Sequence, residues 1–198
     1  MPNCEFCDLV YENDSLLNEH IGIEHPYHES YNNLMLIEDT CESIGSMYNN
    51  QYLGSFGDFA SFSFYFSHHI TSIEGGMITT NNDKYADIIR SMRANGWSRD
   101  IRDEKTKNRL IAENPSISKS FMFPYVGFNL KPTDVAAGLL LNQIGRLDKY
   151  NNLRRISAER LTKSLQKFSE YFFLPYERKP CKHSWFSFAI VVKDNAPF

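Results

Sequence analysis

Along this chain, apolar and polar positions alternate with two different periods. Leu34-Met35-Leu36-Ile37 is a short apolar run ending in Glu38-Asp39. It predicts a buried strand with two carboxylates at its carboxyl end, where open α/β sheets place their ligands. The aromatic stretch 59–65 (F-A-S-F-S-F-Y) predicts a second strand, 77–80 a third and 185–192 a fourth. Gly45, Asn49-Asn50, Gly54 and Gly57 mark a turn-rich connection between the first two strands. Residues 83–93 have the helical period, with Ile88, Ile89 and Met92 on one face. Thr133 is placed to cap a helix over 134–147, with Val135, Leu139, Leu140 and Ile144 at helical spacing. A further helix over 148–168 carries Leu153, Ile156, Leu161 and Leu165. The aromatic sets Phe62, Phe64, Phe66 and Phe121, Phe123, Tyr125 read as core strands or loop anchors. Strands and helices in one chain, with acids at a strand's carboxyl end as in open α/β sheets, predict an α/β chain. Neither an internal repeat nor a low-complexity tract interrupts the pattern.

With 42% hydrophobic and 23% charged residues, the composition is that of a globular protein and excludes a fibrous or mostly disordered chain. No stretch approaches the roughly 20 apolar residues that span a bilayer. The N-terminus lacks the basic start and apolar segment of a secretory signal. The expected address is the cytoplasm, where the four cysteines stay reduced. The net charge of -3 conceals a division: residues 1–83 hold thirteen acidic residues and no Lys or Arg, while all 21 basic residues lie from Lys84 onward. Two mutually attracting halves, a dimer that pairs them, or an anion site in the basic half would each account for this.

Residues 4–25 contain C-x2-C-x12-H-x4-H, formed by Cys4, Cys7, His20 and His25. Two thiolates and two imidazoles at this spacing suit a tetrahedral Zn2+ site. Tyr11 and Leu17 stand where a ββα finger places its core residues, and Asp14 or Ser15 can cap its helix. The segment resembles a two-cysteine, two-histidine zinc finger, in which metal supplies the folding free energy a small core cannot. Seven acidic residues and no Lys or Arg within residues 1–32 leave nothing to neutralise phosphates, so nucleic acid is not the expected partner. A structural or protein-contacting finger is.

From residue 33 onward, an ordered series of motifs points to one family. I-E-D-T-C-E-S-I-G-S is followed by G-S-F-G-D-F-A-S-F-S-F, H-H-I-T-S-I-E-G-G-M-I-T-T-N, R-S-M-R-A-N-G-W and G-F-N-L-K-P-T-D-V-A-A-G-L-L-L-N-Q-I-G-R-L-D. The series resembles the DegT-type sugar aminotransferases, pyridoxal 5'-phosphate (PLP) enzymes of fold type I that act on nucleotide-linked keto sugars. The resemblance implies that Asp39 pairs with the cofactor's pyridine nitrogen, Ser63 holds its phosphate, Glu42 lies near its 3-hydroxyl, where many relatives have Gln, and Asn129 reaches the phosphate of a neighbouring subunit in a homodimer. Five residues after Ser63 most of the family has a lysine that forms an imine with the cofactor; here His68 stands in its place, and the first lysine is Lys84. An imidazole cannot form that bond, but it moves protons near neutral pH. Within the family this places the chain with the 3-dehydratases of nucleotide-linked 4-keto-6-deoxy sugars, with His68 as base and pyridoxamine 5'-phosphate (PMP) held non-covalently. His69 is expected to support or pack rather than react.

One branch of these dehydratases carries an iron–sulfur cluster. Beyond Trp97 no cysteine follows in the matching region, Cys181 is far downstream, and Cys41 is expected to be a buried packing thiol, so a four-thiolate cluster is excluded. Family members carry a long segment before the strand at residue 34, including the phosphate loop and the aromatic wall of the cofactor site; here residues 1–32 stand in its place, and the chain stops within the small domain. The expected organisation is therefore a zinc-finger-like module (1–32), a partial large domain (33–147), and a linking helix with a truncated small domain (148–198). Two readings stay open. One is a PLP/PMP-dependent nucleotide-sugar 3-dehydratase lineage, incomplete as a single chain. The other is a non-catalytic zinc-binding interaction protein that carries a degenerate aminotransferase remnant.

Overall fold

The structure, a computed structural model, describes residues 34–197. The zinc-finger-like segment, with Cys4, Cys7, His20 and His25, lies outside the described residues. In chain order the elements are β1 (Ile37–Asp39), β2 (Met47–Tyr48), β3 (Gln51–Tyr52), β4 (Phe59–Ser63), β5 (Gly76–Thr79), α1 (Asp83–Met92), α2 (Glu104–Glu113), α3 (Asp134–Ile144), α4 (Leu147–Leu165), β6 (Phe172–Phe173), β7 (Cys181–Lys182) and β8 (Val191–Val192). Three small sheets result, in the orders β1-β4-β5, β3-β2-β7 and β6-β8.

The first sheet positions the chemistry. β1 and β4 run parallel with Ile37, Glu38 and Asp39 opposite Phe59, Ala60 and Ser61. β5 returns antiparallel to β4, setting Gly76 opposite Ser63. The connection between β1 and β4 is a hairpin followed by a loop. β2 and β3 close around Asn49 and Asn50, both with positive φ (48° and 62°), as a two-residue turn between antiparallel strands requires. Glu38 then organises the loop. Its carboxylate accepts the N–H groups of Gly54 at 2.6 Å and of Phe56 and Gly57 at 2.7 Å.

Two strand expectations need correction. The run before Asp39 is not buried: Leu34, Met35 and Ile37 are exposed, and strand geometry in β1 starts only at Ile37, with no described element packed over its outer face. The stretch 185–192 is not one strand either. Trp185 takes a left-handed backbone (φ 52°), and strand geometry is confined to Val191–Val192. The helices at 83–93, 134–147 and 148–168 form close to their expected limits, with Asn82, not only Thr133, serving as an N-cap. The buried positions of α1 are the polar Asp87 and Ser91, while Ile88, Ile89 and Met92 are half-buried. Asp87 accepts N–H bonds from Arg102 (3.0 Å) and Asp103 (2.9 Å) and pairs with Arg90 at 2.7 Å, tying the following loop to the helix. α2 was not anticipated. It is mostly polar, and its strongest signal is Asp103, whose carboxylate caps the N–H groups of Lys105 and Thr106.

The chain's C-terminal part is fastened back onto the turn after β1. β7 pairs with β2, Ser184 N–H and Ser46 Oγ meet at 2.9 Å, Asn151 Nδ2 donates to Ile44 O, and Arg155 donates to Gly45 O and His183 O. At the far end of α1, Gly96 (φ 82°) and Gly127 let two backbones touch: a Cβ on either would overlap the other strand of chain.

Replacing Glu38 by Ala strips three N–H groups of a charged acceptor. A loss of about 2–4 kcal/mol is expected in urea denaturation, with Glu38→Gln recovering part of it. An unchanged midpoint in Glu38→Ala would show that the loop is held by other contacts.

Candidate active site

Asp39 ends β1, and its side chain is exposed. One oxygen, Oδ1, accepts the main-chain N–H of Cys41 and the hydroxyl of Ser61, both at 3.2 Å. The Cys41 thiol, that N–H and the Ser61 hydroxyl together hold the carboxyl below its ordinary range. None of the described hydrogen bonds falls on Oδ2. Ser61 and Ser63 are two apart on β4, so their side chains leave the same face of the strand. Ser63 Oγ accepts the N–H of Tyr65 at 3.2 Å, which starts the turn out of β4.

His68 lies on that turn. Its N–H donates to Tyr65 O at 3.1 Å, and its ring lies 6.0 Å from Tyr65 and 5.3 Å from Phe186, centroid to centroid. Its Nδ1 is enclosed without a partner among the described residues. The rest of the loop is tied down. Thr71 N–H donates to Gln143 Oε1 at 3.0 Å and Gln143 Nε2 donates to Thr71 O at 2.7 Å, locking the loop to α3. Phe64 O accepts from Ser72 N–H and the Thr71 hydroxyl.

His69 turns inward. It is buried against Phe186, with neither ring nitrogen partnered among the described residues, beside a cleft of about 450 Å³ lined also by Arg154, Tyr150 and Trp185. Burial first, then the Arg154 guanidinium, pushes it down to about 4, so it is neutral at pH 7.

The structure thus gathers Asp39, Ser61 and Ser63 at the carboxyl end of a parallel strand pair, with His68 on the loop that leaves it. Glu42 is exposed on the turn after β1. Asn129 is apart from this group: it is exposed and bridges to Ala94 beyond the end of α1, with Asn95 N–H donating to Phe128 O at 2.8 Å. Cys41 is half-buried and hydrogen-bonded, not a packing thiol. Ser61 was missed, although strand period alone puts it on the face of Ser63. Gln143 and Phe186 were missed because only tertiary contact brings them to the loop. Among the described residues, no group of three or more His, Cys, Asp or Glu could hold a metal ion, and no helix is long and apolar enough to cross a membrane.

Comparison with known proteins identifies the relatives of this chain. The profile of the DegT/DnrJ/EryC1/StrS aminotransferase family matches residues 28–197. GDP-4-keto-6-deoxy-D-mannose 3-dehydratase of Escherichia coli O55:H7 is 32% identical over 163 residues, which cover 82% of this chain and 41% of that protein. dTDP-4-dehydro-2,6-dideoxy-D-glucose 3-dehydratase of Saccharopolyspora spinosa is 35% identical over 174 residues, covering 83% and 37%. The solved structure of the E. coli GDP-4-keto-6-deoxy-D-mannose-3-dehydratase with bound hydrated PLP is similar with a TM-score of 0.73 at 27% identity, covering 94% of this chain and 45% of that one. The chain spans about two fifths of the length of these curated relatives.

His69 gives the fold a pH dependence with a definite sign. Its folded value of about 4 lies below the ordinary 6.5, so between these limits the unfolded chain binds more protons. Stability should be flat above about pH 6.5 and fall by about 3 kcal/mol toward pH 4. Urea denaturation across that range should show the loss, and His69→Phe should remove it; a variant curve parallel to wild type would assign the slope to other groups.

Proposed function

The chain belongs to the DegT/DnrJ/EryC1/StrS aminotransferase family, and on that premise we propose that it carries the Asp39–Ser63–His68 part of a nucleotide-sugar 3-dehydratase site. What carries the reading is a histidine in the lysine's place, on the turn out of β4, with a carboxylate at the end of the paired strand β1 that takes its hydrogen bonds on one oxygen. These residues fit PLP or PMP. Asp39 Oδ2 is available to a protonated ring nitrogen, and Ser63 offers a hydroxyl to a phosphate. The cofactor, when bound, supplies an electron sink next to the sugar.

The chain's own residues divide the remaining work. Asp39 holds the ring nitrogen's proton. Glu42, on the turn that follows, would lie near the cofactor's 3-hydroxyl. His68 is the base that moves a proton as the sugar's 3-hydroxyl departs. Its Nδ1 is enclosed, so exchange with an outside group falls to Nε2. Asn129, remote from this group, serves the phosphate of a partner subunit in a homodimer. Residues 33–147 then form part of the large domain, and 148–198 the link and part of the small domain. A nucleotide-linked 4-keto-6-deoxy sugar is the substrate class. Arg93, Arg99, Arg102, Lys107 and Lys131, with Asp100 and Glu104, line a polar cleft whose excess of positive charge suits such a phosphorylated ligand. The proposed setting is the cytoplasm.

The spacing of Cys4, Cys7, His20 and His25 favours a second, separable role: a zinc-binding module that contacts protein. Metal analysis of the purified chain should return about one zinc per chain, and Cys4→Ser should abolish it; a metal-free chain would reject the module.

PMP titrated into the chain should change its absorbance and quench its fluorescence, and Asp39→Ala should weaken binding by about tenfold or more. His68→Lys should convert reversible PLP binding into a borohydride-reducible linkage. No binding of either form at high micromolar cofactor would defeat the cofactor reading for this chain.

A further inference from the structure

We propose that Cys41 and Ser61 are positioning residues: together they pin one oxygen of Asp39 so that the carboxylate presents the other in a fixed direction. The assignment rests on the cofactor reading of Asp39 above, but its geometry stands independently. An exposed aspartate at a strand end would ordinarily be free to rotate about its side-chain bonds. Here Oδ1 is caught from two elements at once. Cys41 N–H reaches back two residues at 3.2 Å, as in an Asx turn. Ser61 Oγ reaches across from β4 at 3.2 Å, from the residue directly opposite Asp39 in the parallel register.

That register is itself locked at this point. Thr40, fully buried, donates both its N–H (3.0 Å) and its hydroxyl (2.6 Å) to Ser61 O. The serine therefore cannot slide away from the aspartate. The Cys41 sulfur closes the group, lying 3.6 Å from Ser61 Oγ. Burial and the adjoining Asp39 and Glu42 charges raise the thiol above its ordinary value, outweighing Ser61, so Cys41 stays S–H and adds no negative charge beside the carboxylate. Two donors on one oxygen stabilise the charged form and orient it, at no cost in access to Oδ2.

The test separates position from cofactor chemistry. In the cofactor-free full chain, carbon-13 NMR titration of labelled aspartate should show the Asp39 carboxyl rising toward its ordinary value in Ser61→Ala, with Ser61→Thr, which keeps a hydroxyl donor, restoring it. Cys41→Pro, which removes the main-chain N–H, should raise it as well. With PMP, Ser61→Ala should bind about tenfold more weakly, and its ring-nitrogen titration, followed by absorbance, should move down. A folded Ser61→Ala variant with an unmoved Asp39 carboxyl would overturn the proposal. A raised carboxyl in a chain that binds no PMP even as wild type would uphold the positioning and reject the cofactor reading.

Discussion

The parallel pairing of β1 with β4 is the constraint on which the site depends. Three residue pairs make it, and each does something different. Ile37 faces Phe59, Glu38 faces Ala60 and Asp39 faces Ser61. Because strand side chains alternate, two consecutive acids are sent to opposite faces. Glu38 gathers three loop N–H groups on one side, and Asp39 is gathered by Cys41 and Ser61 on the other. A slip of one residue would exchange the two carboxylates, moving the charge that builds the loop to the face of Ser61. Thr40, bonded twice to Ser61 O, opposes that slip.

The loop from Tyr65 to Gly75 shows the same economy. It leaves β4, turns at His68, and returns into β5, and its middle is tied to α3 by the reciprocal Thr71–Gln143 pair. His68 and His69 are adjacent in sequence yet differ in environment. His69 is buried and kept neutral by desolvation and Arg154; His68 is half-buried and sits on the turn. Identical side chains thus meet different surroundings through a single step of the backbone.

Much of this was legible in the residues. The acids at the end of an apolar run, the alternating Phe59–Ser63 stretch and the Asn-Asn turn all formed as their local chemistry demands. So did the helix capped by Thr133, because a cap and an apolar period agree there. What escaped was tertiary in origin. α2 has little apolar period, and only its Asp103 cap announces it. The aromatic stretch around Trp185 resembles a strand by composition, but Arg154 draws the carbonyls of Trp185 and Phe186 toward α4 and the backbone turns. Ser61 looked like strand filler. Its role emerges only once the register sets it opposite Asp39.

Histidine in the lysine frame makes sense physically given what surrounds it. A lysine on this turn would bring a flexible, strongly hydrated ammonium next to the aromatic rings of Tyr65 and Phe186. An imidazole fills that aromatic setting with far less side-chain freedom to lose. It surrenders covalent capture of a carbonyl, so on the proposed reading a cofactor would be held by shape and by fixed charges alone. That would shift the burden onto Asp39, whose direction would then matter more than its charge. A carboxylate secured by two elements on one oxygen, with its other oxygen clear, is the arrangement that a non-covalent site requires.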